Sequence, residues 1–215
     1  ILTPHLHHEC SVVSSAVHPG RALYSMLRYW RAAGLSYLEL PEPEPEIIDP
    51  AQVQQGKMAT LGRLEMECAQ CTACELHQNR TQSIFGQGPL QADIMFIGSS
   101  PSHHEETALL PFQGPEGQLL DRMFEKMGYT REQLYLCYAT TCRPPNDRAP
   151  NENELKSCRN WLTQQVQLVN PKTIVTLGTV ATQSLLTLQS SISQLRGQWQ
   201  QTSGPQSQIP VMPTF

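Results

Sequence analysis

Hydrophobic positions divide the chain into a short amphipathic stretch near its start and a longer region of strand and helix patterns. Within residues 21–38, apolar side chains recur at helical spacing, at Leu23, Met26, Leu27 and Trp30. We expect a short helix there, inside an otherwise flexible N-terminal segment of residues 1–40. The sequence PEPEPE follows, and its alternating prolines predict a stiff, solvated linker, which we place at residues 41–55.

Residues 56–215 alternate between continuous apolar runs and amphipathic stretches. The apolar runs predict four strands, at residues 92–98, 133–140, 173–178 and 208–215. The amphipathic stretches predict helices at residues 117–127, 151–169 and 180–188. This alternation is typical of a parallel sheet covered on both faces. We therefore predict an α/β domain, a three-layer α/β/α sandwich with a four-stranded parallel sheet, whose ligands bind beyond the carboxyl ends of the strands.

Composition narrows the class of protein. The net charge of −4 speaks against a strongly basic coat for nucleic acid, although a local basic patch remains compatible with it. No apolar stretch is long enough to span a membrane, and the first residues lack the pattern of a signal peptide. We expect a cytoplasmic protein, in which the seven cysteines serve metal binding or catalysis rather than disulfides.

Four cysteines are candidates for a thiolate cage. Cys71 and Cys74 form a close pair, Cys142 follows the second predicted strand, and Cys158 lies in the next helix. Four thiolates hold either a [4Fe–4S] cluster or a tetrahedral zinc ion, and the spacing alone does not choose between them. The alternative is that Cys142 and Cys158 are small buried apolar residues.

The remaining cysteines and a histidine cluster have simpler interpretations. Cys68 extends the pair to CxxCxxC and could compete as a ligand, but we expect a spectator. Cys137 lies in an apolar strand and is expected in the core, and Cys10 is expected to be a free thiol. The cluster of His5, His7 and His8 is interpreted as a surface feature rather than a metal site.

A longer set of motifs resembles the iron–sulfur, or family-four, uracil-DNA glycosylases. The resemblance covers about residues 60–215 in order and rests on Cys71-Thr-Ala-Cys74, Arg80-Thr81, Phe85-Gly86, Pro111-Phe112, Gly117, Cys142-Arg143-Pro144-Pro145, Arg148-Ala149-Pro150, Cys158, Gln165, Pro171-Lys172, Leu177-Gly178 and Leu195-Arg196-Gly197. It implies a [4Fe–4S] cluster with a structural role on Cys71, Cys74, Cys142 and Cys158. It also implies that DNA crosses the strand ends, and that Phe112 stacks on an extruded base.

Several positions depart from the family pattern. Ser99 stands where the family has an acidic residue near the attacking water, and Ser102 replaces a glycine of the same loop. Tyr138 stands where the family has the asparagine that reads the uracil edge, and a phenol is far larger than that amide and has a single oxygen. The family's His-Pro pair would follow Phe215, so we expect its function to be absent if the natural chain ends there.

Two further groups of residues could replace the missing acidic group or bind DNA phosphates. The loop after the first strand contains possible substitutes for the missing acid, His103, His104, Glu105 and Glu106, although such charges are usually only solvated. Phosphates could be bound by the free backbone N–H groups at Gly178 and by three basic side chains, Arg143, Lys172 and Arg196.

Two hypotheses follow for the function. One is an active monofunctional glycosylase that removes uracil or another deaminated base in base-excision repair. The other, which we favour, is a protein that binds single- or double-stranded DNA or the replisome, with weakened or lost excision, because two polar functions are replaced. Such a chain resembles the psi subunit of the bacterial clamp loader, and residues 21–38 would then bind a replisome or repair protein.

Overall fold

The structure is a computed structural model that describes Arg28 and residues 49–187, 190–202 and 208–215. The chain divides into two units, residues 1–48 and residues 49–215, and the elements below belong to the second. Apart from Arg28, the predicted N-terminal helix lies outside the described residues. Cys10, the cluster of His5, His7 and His8, and the PEPEPE sequence lie outside them too.

Helices and strands alternate along the described chain. The helices are α1 (Pro50–Ala69), α2 (His103–Ala108), α3 (Pro115–Met127), α4 (Glu152–Val169), α5 (Gly178–Leu186) and α6 (Ile192–Leu195). The strands are β1 (Ile94–Gly98), β2 (Tyr135–Tyr138), β3 (Thr173–Leu177), β4 (Gln200–Gln201) and β5 (Pro210–Thr214). Single turns of 3-10 helix lie at Glu75–Gln78, Arg131–Gln133 and Pro145–Asp147.

Helix α1 begins inside the segment predicted as a linker. The Asp49 carboxylate accepts a hydrogen bond from the backbone N–H of Ala51, and Pro50 occupies the first helical position, where its missing N–H costs nothing. Only Leu64 and Cys68 of this helix are buried. The apolar periodicity is therefore too weak to predict α1 from the sequence.

The five strands form one sheet in the order β2-β1-β3-β5-β4. The pairs β1–β2, β1–β3 and β3–β5 are parallel, which confirms the α/β prediction and its four parallel strands. Strand β4 is an additional, antiparallel edge strand of two residues. At the opposite edge, Gln87 and Leu136 exchange two backbone hydrogen bonds of 2.9 and 2.8 Å.

The two faces of the sheet are covered to different extents. On one face α4 and α5 pack over a core that includes Met95, Tyr135, Leu162, Val166 and Ile174. On the other face α3 packs Leu120 and Phe124 against β1 and β2. Beyond α3, a groove of about 620 Å³ is lined by apolar side chains that include Leu119, Met123, Met127, Val175, Leu177 and Met212. Among the described residues, no helix combines the length and apolar character that crossing a membrane requires.

A buried amide connects the segment before β1 to β2 and α4. Gln165 is completely buried, and its Oε1 accepts hydrogen bonds from the Gly86 backbone N–H at 3.0 Å and the Tyr135 hydroxyl at 3.1 Å. Its Nε2 donates to the carbonyl of Trp161 at 3.2 Å. The side chain is thus a structural crosslink.

Replacing Gln165 with leucine should destabilise the fold. Gln165→Leu leaves the Gly86 N–H and the Tyr135 hydroxyl without this acceptor, and a buried unsatisfied polar group costs about 1–3 kcal/mol. Urea unfolding should show a loss of that order. Gln167→Leu, at an exposed position of the same helix, serves as the control and should change the free energy of unfolding by less than about 0.5 kcal/mol. Equal stability of the two variants would contradict this role.

Candidate functional site

The carboxyl ends of the parallel strands meet at one edge of the sheet. Gly98 of β1 lies beside Tyr138 of β2, and Leu177 of β3 lies beside Thr214 of β5. The groove described above opens at this edge. It brings together four residues that the sequence singled out, Ser99, Phe112, Tyr138 and Gly178.

The aromatic rings of Phe112 and Tyr138 are stacked at the centre of this site. Their centroids are 4.6 Å apart and their planes differ by 29°. The backbone N–H of Phe112 donates a hydrogen bond of 2.9 Å to the Tyr138 hydroxyl oxygen. Tyr138 therefore uses both the face of the Phe112 ring and the neighbouring backbone donor.

The Tyr138 ring is fixed by close packing. Its side chain is 5% exposed, and it belongs to the apolar cluster of α3, β1 and β2. A Cβ atom at Gly98 would lie 2.8 Å from the Tyr138 ring and 2.9 Å from the Phe112 ring. Glycine at this position is what allows both rings to approach the end of β1. Burial raises the pKa of Tyr138, so the phenol is neutral at physiological pH.

The loop after β1 has no carboxylate at residue 99, where the family pattern has an acidic residue. Backbone hydrogen bonds from Ala139 to Gly98 and from Thr140 to Ser99 hold this loop against the exit of β2. Ser99 and Ser100 line the groove with neutral side chains. Ser102 instead caps α2, because its hydroxyl accepts a hydrogen bond from the His104 N–H.

Phe112 adopts a left-handed backbone conformation, with a φ of 54°. Arg131 donates from Nη1 to the carbonyl of Pro111 at 2.8 Å and from Nη2 to the carbonyl of Phe112 at 2.7 Å. A Cβ atom at Gly117 would lie 1.9 Å from the Phe112 carbonyl oxygen, so α3 can approach this segment only with glycine there. A bulky residue in this conformation is strained and persists because the surrounding contacts fix it.

Glu105 holds the same segment from the opposite side. Its Oε1 accepts hydrogen bonds from the N–H groups of Gln113 and Gly114, and its Oε2 accepts from the N–H and hydroxyl of Ser102. Burial opposes ionisation of this carboxyl, but these hydrogen bonds outweigh it and lower its pKa. Glu105 therefore connects the loop after β1 to the Phe112 segment.

The four possible substitutes for the missing acid lie on α2 and have different environments. Glu105 is committed as described, and Glu106 accepts from the Thr81 N–H at 2.8 Å and pairs with Arg143 at 3.2 Å. His103 and His104 are exposed. Both carboxylates are thus engaged in holding the fold.

The predicted phosphate-binding residues do not share one surface. Lys172 precedes β3 and pairs with Asp93, which precedes β1, so it lies at the amino edge of the sheet, away from the strand ends. Its predicted phosphate contact would therefore be made apart from the strand-end site. Arg143 pairs with Asp147 at 2.7 Å as well as with Glu106. Arg196 is exposed, with its guanidinium 4.4 Å from the centre of the Phe215 ring.

The structure places two of the predicted cage cysteines, Cys142 and Cys158, and a further thiol, Cys68, around the Thr141 hydroxyl. The Thr141 hydroxyl oxygen lies 3.3 Å from the sulfur of Cys68, 3.8 Å from that of Cys142 and 3.7 Å from that of Cys158. Burial, with smaller contributions from Cys142 and Cys71, raises the pKa of Cys68 to about 11, although hydrogen bonds with Thr141 and Ser83 oppose this shift. Burial also raises the pKa of Cys74, with further contributions from Cys142 and Cys71.

A cation lies beside the predicted cage. Arg80 Nη1 donates to the Cys142 sulfur at 3.0 Å. Thiolates with a cationic donor beside them suit a thiophilic group such as an iron–sulfur cluster. Within the described ranges, no three or more His, Cys, Asp or Glu side chains converge on a point that could hold a single metal ion. Cys137 lies apart from the cage in the core under α4, as predicted.

Three residues that matter here were not predicted in these roles. Arg131 and Glu105 position the Phe112 segment, and Arg80 contacts the cage. Arg80 lies in a motif shared with the family, which is a signal that could have identified it. The contact of Arg131 with the Phe112 segment depends on tertiary structure and leaves no local pattern.

Glu105→Gln should lower stability most at neutral pH. The folded protein holds ionised Glu105 at a lowered pKa, so its contribution is complete above the unfolded value near 4.5 and is lost as the pH falls through the folded value. Thermal unfolding at about pH 7 should show a loss on the order of 2 kcal/mol, since hydrogen bonds to a charged group are broken. The difference from the wild type should shrink towards pH 3, whereas Glu125→Gln, at an exposed site, should show little effect at either pH. A loss of stability in Glu105→Gln that is the same at both pH values would contradict a stabilising role for the ionised Glu105 carboxylate.

Comparison of the sequence with those of known proteins places this chain in a family. The profile described as the uracil DNA glycosylase superfamily matches residues 85–215. A type-4 uracil-DNA glycosylase of Sulfurisphaera tokodaii is 35% identical over 163 residues, which are 74% of this chain and 74% of that protein. The enzyme of the same name from Saccharolobus solfataricus is 34% identical over 163 residues, 74% of this chain and 76% of the relative. One from Thermotoga maritima is 41% identical over 111 residues, 52% of this chain and 58% of the relative.

The superfamily profile covers the strand-end site. The four parallel strands agree with the fold that the sequence motifs implied, and Phe112 lines the groove at the strand ends. The chain belongs to the uracil-DNA glycosylase superfamily and, within it, to the type-4 uracil-DNA glycosylase family.

Proposed function

We propose that this chain is a DNA-binding protein of DNA metabolism in which base excision is weakened or lost. The observation that carries the proposal is the stack of Tyr138 on Phe112. An enzyme that excises a base extrudes the nucleotide, stacks the base between aromatic or apolar side chains and reads its edge through hydrogen bonds. Here the Phe112 ring face and the Phe112 N–H are both occupied by the protein's own phenol.

A base that stacks on the covered face of Phe112 would require Tyr138 to leave its place. That movement breaks the ring stack and the hydrogen bond and exposes an aromatic side chain, each of which costs on the order of 1 kcal/mol or more. Every 1.4 kcal/mol lowers the open population about tenfold. A base would therefore meet an open site in about one molecule in a hundred or fewer.

The loop after β1 is poorly equipped for the chemical step. Cleavage of the glycosidic bond separates an oxocarbenium-like sugar from an anionic base, so a charged group near the attacking water assists it. Ser99 has a neutral hydroxyl, and the nearby carboxylate of Glu105 is committed to backbone N–H groups. Loss of one such electrostatic group commonly costs about 10²–10³ in rate.

DNA binding is proposed from the family and from groups at the strand ends. The relatives named above are uracil-DNA glycosylases, whose substrate is DNA. Gly178 begins α5, whose first backbone N–H groups can bind a phosphate, and Arg196 is exposed near the end of β5. Arg143 contributes less, because two carboxylates already accept from it.

The cysteine cage is proposed to hold a [4Fe–4S] cluster on Cys71, Cys74, Cys142 and Cys158. When bound, the cluster supplies a covalent connection between segments that are distant in sequence. Cys71 and Cys74 precede β1, Cys142 follows β2, and Cys158 belongs to α4. Cys68 remains outside the ligand set, as a buried thiol that donates to Thr141.

A protein partner is the third part of the proposal. Residues 21–38 are proposed to bind a replisome or repair protein, with the PEPEPE sequence as a spacer. This part rests on the sequence pattern, since those residues lie outside the described ranges apart from Arg28.

An active glycosylase is the second candidate. The shared name of the relatives, type-4 uracil-DNA glycosylase, and the retained Phe112 favour it. On this hypothesis Tyr138 moves aside when DNA binds, or it selects a base other than uracil.

The two candidates differ in abasic-site formation. The full-length wild type, incubated with single-stranded uracil DNA and with a U·G duplex, should bind DNA but form abasic sites only at background rates. Tyr138→Asn combined with Ser99→Glu should increase the rate of abasic-site formation by about 10²-fold or more. The double substitution restores the base-reading amide and the acidic group of the family pattern. Alkaline cleavage of labelled DNA measures the product.

The matched control is Tyr138→Phe, which keeps the ring in place and should remain as inactive as the wild type. Circular dichroism confirms that each variant is folded. Robust turnover by the wild type would reject the proposed loss of activity and establish the second candidate.

The cluster proposal is tested by iron analysis of anaerobically purified protein. The wild type should contain about four iron atoms and about four sulfides per chain. Cys142→Ser should lose most of this iron, because a ligand is removed, whereas Cys68→Ala should retain it. If Cys68→Ala lost its iron and Cys71→Ala retained it, Cys68 would be the ligand and Cys71 would lie outside the ligand set.

A further inference from the structure

The guanidinium of Arg80 links the two sides of the cysteine cage. Its Nη1 donates to the sulfur of Cys142, in the loop after β2, at 3.0 Å. Its Nη2 donates to the carbonyls of Ala69 at 2.6 Å and Cys71 at 2.9 Å, at the end of α1. One side chain thus contacts a cage sulfur and the backbone of the segment that carries the close cysteine pair.

This geometry differs from that of an ordinary surface arginine. Arg80 is partly buried, and its charge lies near the thiols of Cys142, Cys68 and Cys71 rather than against a carboxylate. The planar fork of arginine lets separate nitrogen atoms donate in fixed directions, which a single ammonium group does not do. The side chain therefore combines a mechanical function with an electrostatic one.

We propose that Arg80 is a positioning residue that sets the reduction potential of the cluster and its retention by the protein. The inference rests on the proposed cluster. The potential of an iron–sulfur group depends on its net charge, on hydrogen bonds to its sulfur atoms and on its exposure to solvent. One-electron reduction adds negative charge to the cluster, so a cationic donor on a ligand sulfur stabilises the reduced form more than the oxidised form.

Two substitutions separate the electrostatic function from the mechanical one. Arg80→Gln removes the charge, and the midpoint potential should become more negative than that of the wild type. Arg80→Lys keeps the charge but not the three directed bonds, so its potential should stay closer to the wild type. Both variants should lose iron faster in air, because the end of α1 is no longer tied to Cys142.

The measurement is voltammetry of the holoprotein on an electrode, which supplies the electron, together with the decay of iron content after exposure to air. Arg63→Gln is the matched control. Arg63 is exposed on α1 and pairs with Glu67, so its loss changes the total charge equally without contacting the cage. Its potential and iron retention should equal those of the wild type.

The outcomes are distinguishable. Equal potentials and equal iron retention in Arg80→Gln and Arg63→Gln would overturn the inference, provided that the wild type contains iron. Absence of iron from anaerobically purified and reconstituted wild type would instead refute the proposed cluster. If Arg80→Gln folds by circular dichroism but fails to hold iron under reconstitution that loads the control, the retention part of the inference is supported.

Discussion

The hydrogen bonds of the segment around Phe112 constrain everything else at the strand ends. Three consecutive backbone N–H groups, of residues 112, 113 and 114, all have protein acceptors, namely the Tyr138 hydroxyl and the Glu105 carboxylate. The carbonyls of residues 111 and 112 are both bound by Arg131. Buried backbone groups need hydrogen-bond partners. In this segment, these N–H and C=O groups all have partners within the protein, so their hydrogen bonds do not require a ligand. Tyr138 therefore helps to order this segment.

The cage and the aromatic stack are held by the same strand. Tyr138 is the last residue of β2, and Thr141 and Cys142 follow it within one short loop. The Ile84 N–H donates to the Thr141 carbonyl at 2.7 Å, which ties this loop to the segment after the close cysteine pair. Order in the cage therefore supports the position of the strand end, although the two sites use different side chains. This connection gives the loop that carries Cys142 a structural role at the strand ends.

Much of the fold follows from local patterns, whereas the contacts of the site do not. Continuous apolar runs identified the strands around Ile97 and Ile174, because parallel strands covered by helices on both faces favour such runs. Helix α1 was missed because it buries only two residues. Lys172 was predicted to contact phosphate from its residue type alone, whereas its place before β3 puts it at the amino edge of the parallel sheet. The stack of Tyr138 on Phe112 joins residues far apart in sequence, and the motifs indicated only that a large ring would fill this place.

The sheet edges have a consequence for behaviour at high concentration. Unpaired strand edges act as templates for other chains, and proteins protect them with short strands or covering loops. In the described part of the chain, β5 is flanked by the two-residue β4, and the outer edge of β2 meets the Gln87 bridge. Each edge thus offers only a brief row of free backbone groups. Edge-to-edge polymerisation through this sheet is therefore disfavoured.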